Sequence, residues 1–302
     1  MADMKITAIA PWFGGKRTMA ADIVELLGAH TQYFEPFCGS MAVLFSKPPS
    51  RQETVNDLHG DLVNLARVIA AEESGGELYD RLGRTLFAEG LLREAADKLA
   101  GELTSADRAY WYFVQSWMMR NGVAGTNIGC VRGAGVAIAA RFTAGGGSPT
   151  IRWRNAVESI PAWHERLRNV VILNRDAFSL LESIEDADGV AIYADPPYPA
   201  ETRSGFDGSG AQARYAHEFD HQQHGGLFGG AKDDHARLAG LLGRFKRARI
   251  VVSTYDCPRY RELYDGWEFI DKTRQKNLHA QNGRGARAKD APEVLICNRR
   301  TP

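Results

Sequence analysis

No apolar run in the 302-residue chain approaches the ~18 residues of a membrane span, so a membrane is not among the expected partners. The apolar stretch from Ile6 to Ala10 is too short for the core of a signal peptide. It runs straight into Pro11-Trp12-Phe13-Gly14-Gly15. Cysteine is scarce: Cys38, Cys130, Cys257 and Cys297 stand far apart with no CxxC pair. That spacing argues against a disulfide framework and predicts reduced thiols in a cytoplasmic protein. Neither charge sign is in excess, since 37 Lys and Arg residues balance 37 Asp and Glu residues. A wholly basic nucleic-acid coat is thereby excluded, whereas a local basic face is not. What is present, 44% hydrophobic and 25% charged residues, is the composition of a globular protein with one large domain, or one domain with an insertion.

Three runs rich in β-branched residues read as strands buried on both faces: Val170 to Leu173, Val190 to Tyr193 and Ile250 to Ser253. Shorter candidates are Tyr33 to Glu35, Thr54 to Asp57, Trp267 to Lys272 and Glu293 to Cys297. Helical stretches fill the gaps at Arg17 to Leu27, Asp61 to Ala71, Asp233 to Phe245 and Pro258 to Tyr264. This alternation predicts an α/β, doubly wound, mostly parallel sheet. Residues 62–163 break the pattern with helices at Leu91 to Leu103 and Ser105 to Arg120, the second capped by Thr104 or Ser105. Its stripe of Tyr110, Trp111, Phe113, Val114, Trp117 and Met118 reads as helix core rather than a binding platform. The expected division is 1–61, then a helical insertion at 62–163, then 164–302. Gly122 to Gly147 and Pro199 to Gly230 read as loops.

The strongest chemical signal is Asp195-Pro196-Pro197-Tyr198, directly after a strand. Ligands of open α/β sheets bind at the carboxyl ends of strands. Consecutive prolines fix φ twice and remove two donors, leaving carbonyls free to accept. Asp195 and the Pro196 carbonyl can each accept one hydrogen of an exocyclic amine while Tyr198 stacks on the ring. The second signal is Phe34-Glu35-Pro36-Phe37-Cys38-Gly39-Ser40, a strand, Gly turn and helix start of the kind that holds a nucleotide-like cofactor. GxGxxG is missing, so a pyrophosphate cradle is not indicated. Asp57 lies 18 residues beyond Gly39, near the ~20-residue spacing of a carboxylate on a ribose diol. Glu35 beside the turn favours a cationic or neutral ligand over a phosphate. S-adenosylmethionine, with an ammonium, a sulfonium and a ribose, meets these needs. Gly14-Gly15-Lys16 fails as a P-loop, because Ala10 and Arg17 occupy the positions that require Gly and Ser or Thr.

Taken in order, these elements resemble the Dam-type, α-class adenine-N6 DNA methyltransferases. Pro11 to Lys16 is similar to the family's Trp-x-Gly-Gly-Lys element, Phe34 to Ser40 to its cofactor loop, and Val55-Asn56-Asp57-Leu58 to its acidic ribose motif. Asn174-Arg175-Asp176-Ala177-Phe178 resembles the segment bordering the cofactor's adenine, and Asp195 to Tyr198 matches the catalytic motif letter for letter. The resemblance implies a seven-stranded methyltransferase-type sheet whose insertion is a target-recognition domain. It implies cofactor contacts from Trp12, Lys16, Glu35, Phe37, Gly39, Asp57, Asp176, Phe178 and Asp195. The catalytic set would be Asp195, Pro196, Pro197 and Tyr198, with S-adenosylhomocysteine as a product and no metal. Double-stranded DNA is the implied partner, and a restriction endonuclease partner would leave no mark on these residues.

Basic residues hidden by the neutral total are the DNA-contact candidates. Lys272, Arg274, Lys276, Arg284, Arg287 and Lys289, interleaved with Asn, Gln and Gly, read as a phosphate-binding hairpin loop. Arg120-Asn121-Gly122 resembles the family's DNA-surface loop, although Met118-Met119 departs from its usual lead-in. The motif His217, His221 and His224, with Glu218 and Asp220, reads as a solvated loop rather than a metal site. Ser253-Thr254-Tyr255-Asp256 resembles the family's polar segment on the substrate side. Competing readings are cytosine-N4 methylation, a catalytically silent DNA-binding scaffold, and a nicotinamide-dependent oxidoreductase, the last weakened by the missing GxGxxG.

Overall fold

The structure, a computed structural model, describes residues 6–12, 14–119, 148–198, 233–275, 290–291 and 293–298. A seven-stranded sheet forms its centre. In chain order its strands are β1 (Gln32–Glu35), β2 (Gln52–Asn56), β3 (Val171–Leu173), β4 (Val190–Ala194), β5 (Arg249–Tyr255), β6 (Glu268–Asp271) and β9 (Glu293–Cys297). Their spatial order is β3-β2-β1-β4-β5-β9-β6. The first five are mutually parallel, and β9 runs antiparallel between β5 and β6. All seven predicted strands are therefore present.

Two of the three continuous apolar runs have the expected cause, whereas β3 is an edge strand, not buried on both faces, with Val171 54% exposed. Successive side chains of β4, β5 and β9 enter opposite cores. Ala191, Tyr193, Val251, Leu295 and Cys297 join one hydrophobic cluster, while Val190, Ile192, Ala194, Ile250, Val252, Val294 and Ile296 join the other. Helices α1 (Ala20–Leu27) and α2 (Ala42–Ser46) cover the first face. The second is covered by α9 (Ala177–Ser183), α10 (Asp234–Gly243) and α11 (Pro258–Leu263).

Between β2 and β3 run α3 (Gly60–Ala70), α4 (Glu72–Gly83), α5 (Glu89–Leu99), α6 (Ser105–Met118), α7 (Pro149–Glu158) and α8 (Ile160–Leu167). The expected boundaries at 62 and 163 fall inside α3 and α8. Helix α6 packs against α3 and α5, and Thr104 caps it, accepting from the Asp107 backbone N–H at 3.1 Å. Its aromatic stripe is core: Phe113 is fully buried, with Trp153, Trp117 and Trp163 rings 5.4, 6.0 and 6.5 Å away. This bundle shares one hydrophobic cluster with Ile9, Tyr33 and Met41 beside the sheet. Four helices, α4, α7, α8 and α9, were not anticipated. Gly75 and Gly76 make α4 look like a turn, yet a Cβ on Gly75 would sit 2.7 Å from the Ile69 carbonyl oxygen, so the close helix junction requires the glycine.

One buried side chain knits the strand ends together. Asn56, at the end of β2, donates to the carbonyls of Pro36 (3.0 Å) and Arg175 (2.9 Å) and accepts from the Arg175 N–H (3.0 Å). It thereby ties the segments that follow β1 and β3. Asn56→Ala leaves one buried and two part-buried backbone groups without that partner, and the expected loss is about 2 kcal/mol by urea denaturation. Thr104→Ala, which removes only a cap, is expected to cost about 1 kcal/mol.

Candidate active site

The sheet's order reverses between β1 and β4, and the chain leaves both strands at the same edge. Such a switch point opens a crevice. Glu35 ends β1 on one side, and Asp195 follows β4 on the other. Trp12, Lys16, Glu35, Gly39, Tyr193 and Asp195 all line a single cleft there.

The loop after β1 is held from two sides. The Cys38 N–H donates to the Asn56 carbonyl (2.9 Å), and the Gly39 N–H donates to Asp57 Oδ2 (2.8 Å). Gly39 has φ +44°, and a Cβ there would lie 2.6 Å from Trp12 Nε1, so the glycine lets the indole rest on the loop. Met41 adopts φ 61° at the start of α2, a conformation that costs a non-glycine residue roughly 1 kcal/mol. The 18-residue interval between Gly39 and Asp57 thus closes a direct hydrogen bond. The other oxygen of Asp57 accepts from the His59 N–H at 2.9 Å.

Two carboxyl groups, Glu35 fully buried and Asp195 partly exposed, and one buried ammonium are the ionisable groups of the cleft. Lys16, only 5% exposed, places Nζ 2.9 Å from Asp195 Oδ2 and 3.7 Å from Glu293 Oε1, and donates to the Gly14 carbonyl at 2.6 Å. Ser253 Oγ donates to Asp195 Oδ1 at 2.7 Å. Burial raises the pKa of Asp195, and the Glu293 charge adds to this, while Lys16 and the Ser253 hydrogen bond oppose it. Glu35 is more strongly perturbed. Burial pushes its carboxyl up to about 8, reinforced by the Asp195 charge and opposed by hydrogen bonds from Tyr33 OH (2.8 Å) and the Leu44 backbone in the first turn of α2.

Of the residues predicted for this site, Trp12, Lys16, Glu35, Gly39 and Asp195 converge, and Asp57 braces the loop behind them. Pro196 and Pro197 carry the chain from β4 to Tyr198. The Tyr198 ring is 4% exposed and edge-on to Tyr255 (4.7 Å, 73°), with its OH donating to Glu293 Oε1 at 3.0 Å. Three predicted cofactor residues lie elsewhere. Asp176 caps α9, accepting from the N–H groups of Phe178 (3.1 Å) and Ser179 (3.0 Å). Phe178 is fully buried in the opposite core under the Arg237 guanidinium, because its place in the first turn of α9 points it inward. Phe37 packs against that same core. Glu293 and Tyr193 were not anticipated as site residues. Their sequence signal is only that of polar groups on strands, whereas contacts from the far ends of the chain bring them here.

Among the DNA candidates, Lys272 is paired with Asp22 of α1 at 3.0 Å. Arg274 belongs to β7 (Arg274–Gln275), which pairs antiparallel with β8 (Asp290–Ala291) to form the base of a hairpin. Arg120, Asn121, Lys276, Arg284, Arg287 and Lys289 lie outside the described residues, as do His217, His221 and His224.

Comparison with known proteins adds one assignment. Residues 12–106 match the family described as D12 class N6 adenine-specific DNA methyltransferase. The match begins at Trp12 and takes in Lys16, the Gly39 loop and Asp57, ending well before Asp195. No curated protein matches the chain.

The buried Glu35 carries a pH signature. Its carboxyl binds a proton more tightly in the folded chain than in the unfolded one, where it titrates near the ordinary 4.5. The folded state therefore holds the extra proton between the two values, and stability falls as pH rises from the lower value through about 8. The isosteric change Glu35→Gln removes this slope. Urea denaturation is expected to show the variant gaining on the parent as pH rises from about 5 to about 8.5. Parallel stability profiles would show that Glu35 does not carry the buried proton.

Proposed function

We propose that this chain is a D12-class N6 adenine-specific DNA methyltransferase, the family matched over residues 12–106, and that the Asp195 cleft is where the adenine amine meets the methyl donor. The donor is S-adenosylmethionine. A cleft with two carboxyl groups, Glu35 and Asp195, an indole wall and a glycine without room for a Cβ suits a cationic ligand with an aromatic part, whose charge would draw the proton off Glu35. Trp12, Lys16, Glu35, Gly39 and Asp57 are the residues that would hold it, with Phe37 behind the loop. Asp176 and Phe178 are left out of this set, since one caps a helix and the other fills a core. When bound, S-adenosylmethionine supplies an electrophilic methyl group.

The chain's own part in the reaction is positional and electrostatic. An adenine in duplex DNA must leave the stack before its amine can reach a cleft of this kind. The amine's lone pair is delocalised into the ring, which makes it a poor nucleophile. Asp195 and the Pro196 carbonyl accept one amine hydrogen each, favouring a pyramidal nitrogen with an exposed lone pair. Asp195 is also placed to take the proton that the nitrogen sheds after gaining the methyl group. Lys16 now occupies Asp195 Oδ2, and Glu293 offers its ammonium a second carboxylate within 3.7 Å. Tyr198 contributes the aromatic face beside the base.

Double-stranded DNA is bound by residues flanking this cleft. The helical segment 62–163 serves target recognition, with Arg120 and Asn121 following α6 in the sequence. Lys272, Arg274, Lys276, Arg284, Arg287 and Lys289, in the sequence around β7 and between it and β8, contact phosphates.

The observation that carries this reading is Asp195 standing at the switch point, paired with Lys16 and facing the loop matched to the family. The test is single-molecule sequencing of DNA from a methylation-deficient host. The parent is expected to leave N6-methyladenine in one short motif. Asp195→Asn is expected to lower methylation at least about 100-fold while S-adenosylmethionine still binds by calorimetry. Parental methylation by folded Asp195→Asn would overturn the assignment, and N4-methylcytosine would keep the chemistry but change the base.

A further inference from the structure

A directed chain of hydroxyl groups ends on the carboxylate of Asp195. Ser253 Oγ lies 2.7 Å from Asp195 Oδ1 and 2.8 Å from the phenol oxygen of Tyr193. Ser253 is wholly buried, and Tyr193 is 1% exposed. An ionised carboxylate only accepts, so the single hydrogen of Ser253 must point at Asp195. Tyr193 must then donate to Ser253 Oγ. The direction Tyr193 to Ser253 to Asp195 is fixed by donor counting alone.

The chain divides the carboxylate into two unlike oxygens. Oδ1 is committed to Ser253, whereas Oδ2 faces Lys16. We propose that Ser253, backed by Tyr193, is a positioning residue that holds Asp195 in one rotamer and reserves Oδ2 for the amine of the target base. The proposal rests on the reading that Asp195 accepts that amine, and it adds the groups that orient the acceptor. Neither residue touches the substrate in this scheme.

The strands supply the rigidity. Tyr193 sits on β4 and Ser253 on the neighbouring β5, where Tyr193 pairs with Val251 and Ala194 with Val252. Both side chains are thus held by adjacent, hydrogen-bonded backbones rather than by loops. Losing the Ser253 hydroxyl would free Oδ1, leave the Tyr193 hydroxyl buried without its acceptor, and let the Asp195 side chain turn. It would also remove a hydrogen bond that favours the charged form of Asp195. The charged and titratable groups facing Asp195 are Lys16 before α1, Glu35 at the end of β1, Tyr193 on β4 and Glu293 on β9. Each is unchanged in a Ser253 variant, so a difference in the acid limb between variant and parent reports on Asp195.

The test is steady-state methylation of DNA by the full chain across pH. For Ser253→Ala, kcat is expected to fall roughly 10- to 100-fold with KM values for DNA and S-adenosylmethionine within about threefold of the parent. The acid limb of kcat is expected to move roughly one pH unit upward. Ser253→Thr, which keeps the hydroxyl, is expected to restore most of the rate and the parental limb. Tyr193→Phe, isosteric but for one oxygen, is expected to give a smaller loss in the same direction, and it decides the matter if Ser253→Ala does not fold. A parental kcat and acid limb in folded Ser253→Ala, or in Tyr193→Phe, would overturn the proposal. An Asp195→Asn enzyme as active as the parent would instead overturn the underlying reading of the cleft. Inactive Asp195→Asn beside an unaltered Ser253→Ala would remove this inference alone.

Discussion

Two carboxyl groups at adjacent strand ends, Glu35 fully buried and Asp195 partly exposed, with one buried ammonium beside them, are the constraint around which this molecule is built. Glu35 and Asp195 face each other because β1 and β4 are parallel neighbours at the point where the sheet changes direction. Burying a charge is costly unless it is paired. Asp195 has Lys16 and Ser253, whereas Glu35 has hydrogen bonds but, among the described residues, no salt-bridge partner. The asymmetry explains why the Glu35 carboxyl is pushed to about 8. It also gives the two sides of the cleft different character, a protonated carboxyl at Glu35 and an ion-paired one at Asp195.

Everything that shapes the cleft serves to fix those groups. Asn56 draws the loops after β1 and β3 together, and Asp57 then grips the Gly39 N–H. Trp12 lies on Gly39, and its ring meets His59 edge-on at 5.5 Å. The His59 ring in turn stands 5.5 Å from that of Tyr112 on α6. A second tie runs from Trp117 Nε1 to the Ile9 carbonyl at 3.3 Å. Helix α6 is thus packed onto the same segment that supplies Trp12 and Lys16. The helical segment and the cleft form one mechanical unit, which is what an enzyme that must recognise a base and methylate it requires.

Much of this was legible from local pattern. Three of the seven strands are marked by β-branched runs and four by shorter patterns, and Val190 to Ala194, whose side chains enter opposite cores in turn, show why such a run has no polar period: both faces are covered. Asp195 to Tyr198 stood out because an acid followed by two prolines after a strand has few structural uses. Helix α9 was hidden although Asp176 is a standard N-cap residue, because its segment resembled a cofactor border and the cap explanation was passed over. Phe178, in the first turn of α9, turns into the core, a placement that the burial of that helix face decides rather than the motif. Asp57 shows the reverse case. Its spacing from Gly39 pointed to the right loop, and the structure supplies a reason in the chain itself, a hydrogen bond to the glycine.

Ser253, Tyr193 and Glu293 were beyond local reading for a different reason. Each is an ordinary residue on a strand, and its role exists only once the sheet brings distant segments into register. Ser253 reaches Asp195 across 58 positions, and Glu293 reaches Tyr198 across 95. Strand β9 has to insert antiparallel between β5 and β6 before Glu293 can face Lys16 at all. The cofactor loop, by contrast, is closed by contacts within one βαβ unit, and it is that half of the site which falls inside the matched residues 12–106. The division follows from the physics of the fold. Local turns write themselves into short motifs, whereas an active site assembled at a switch point is specified by the order of the strands.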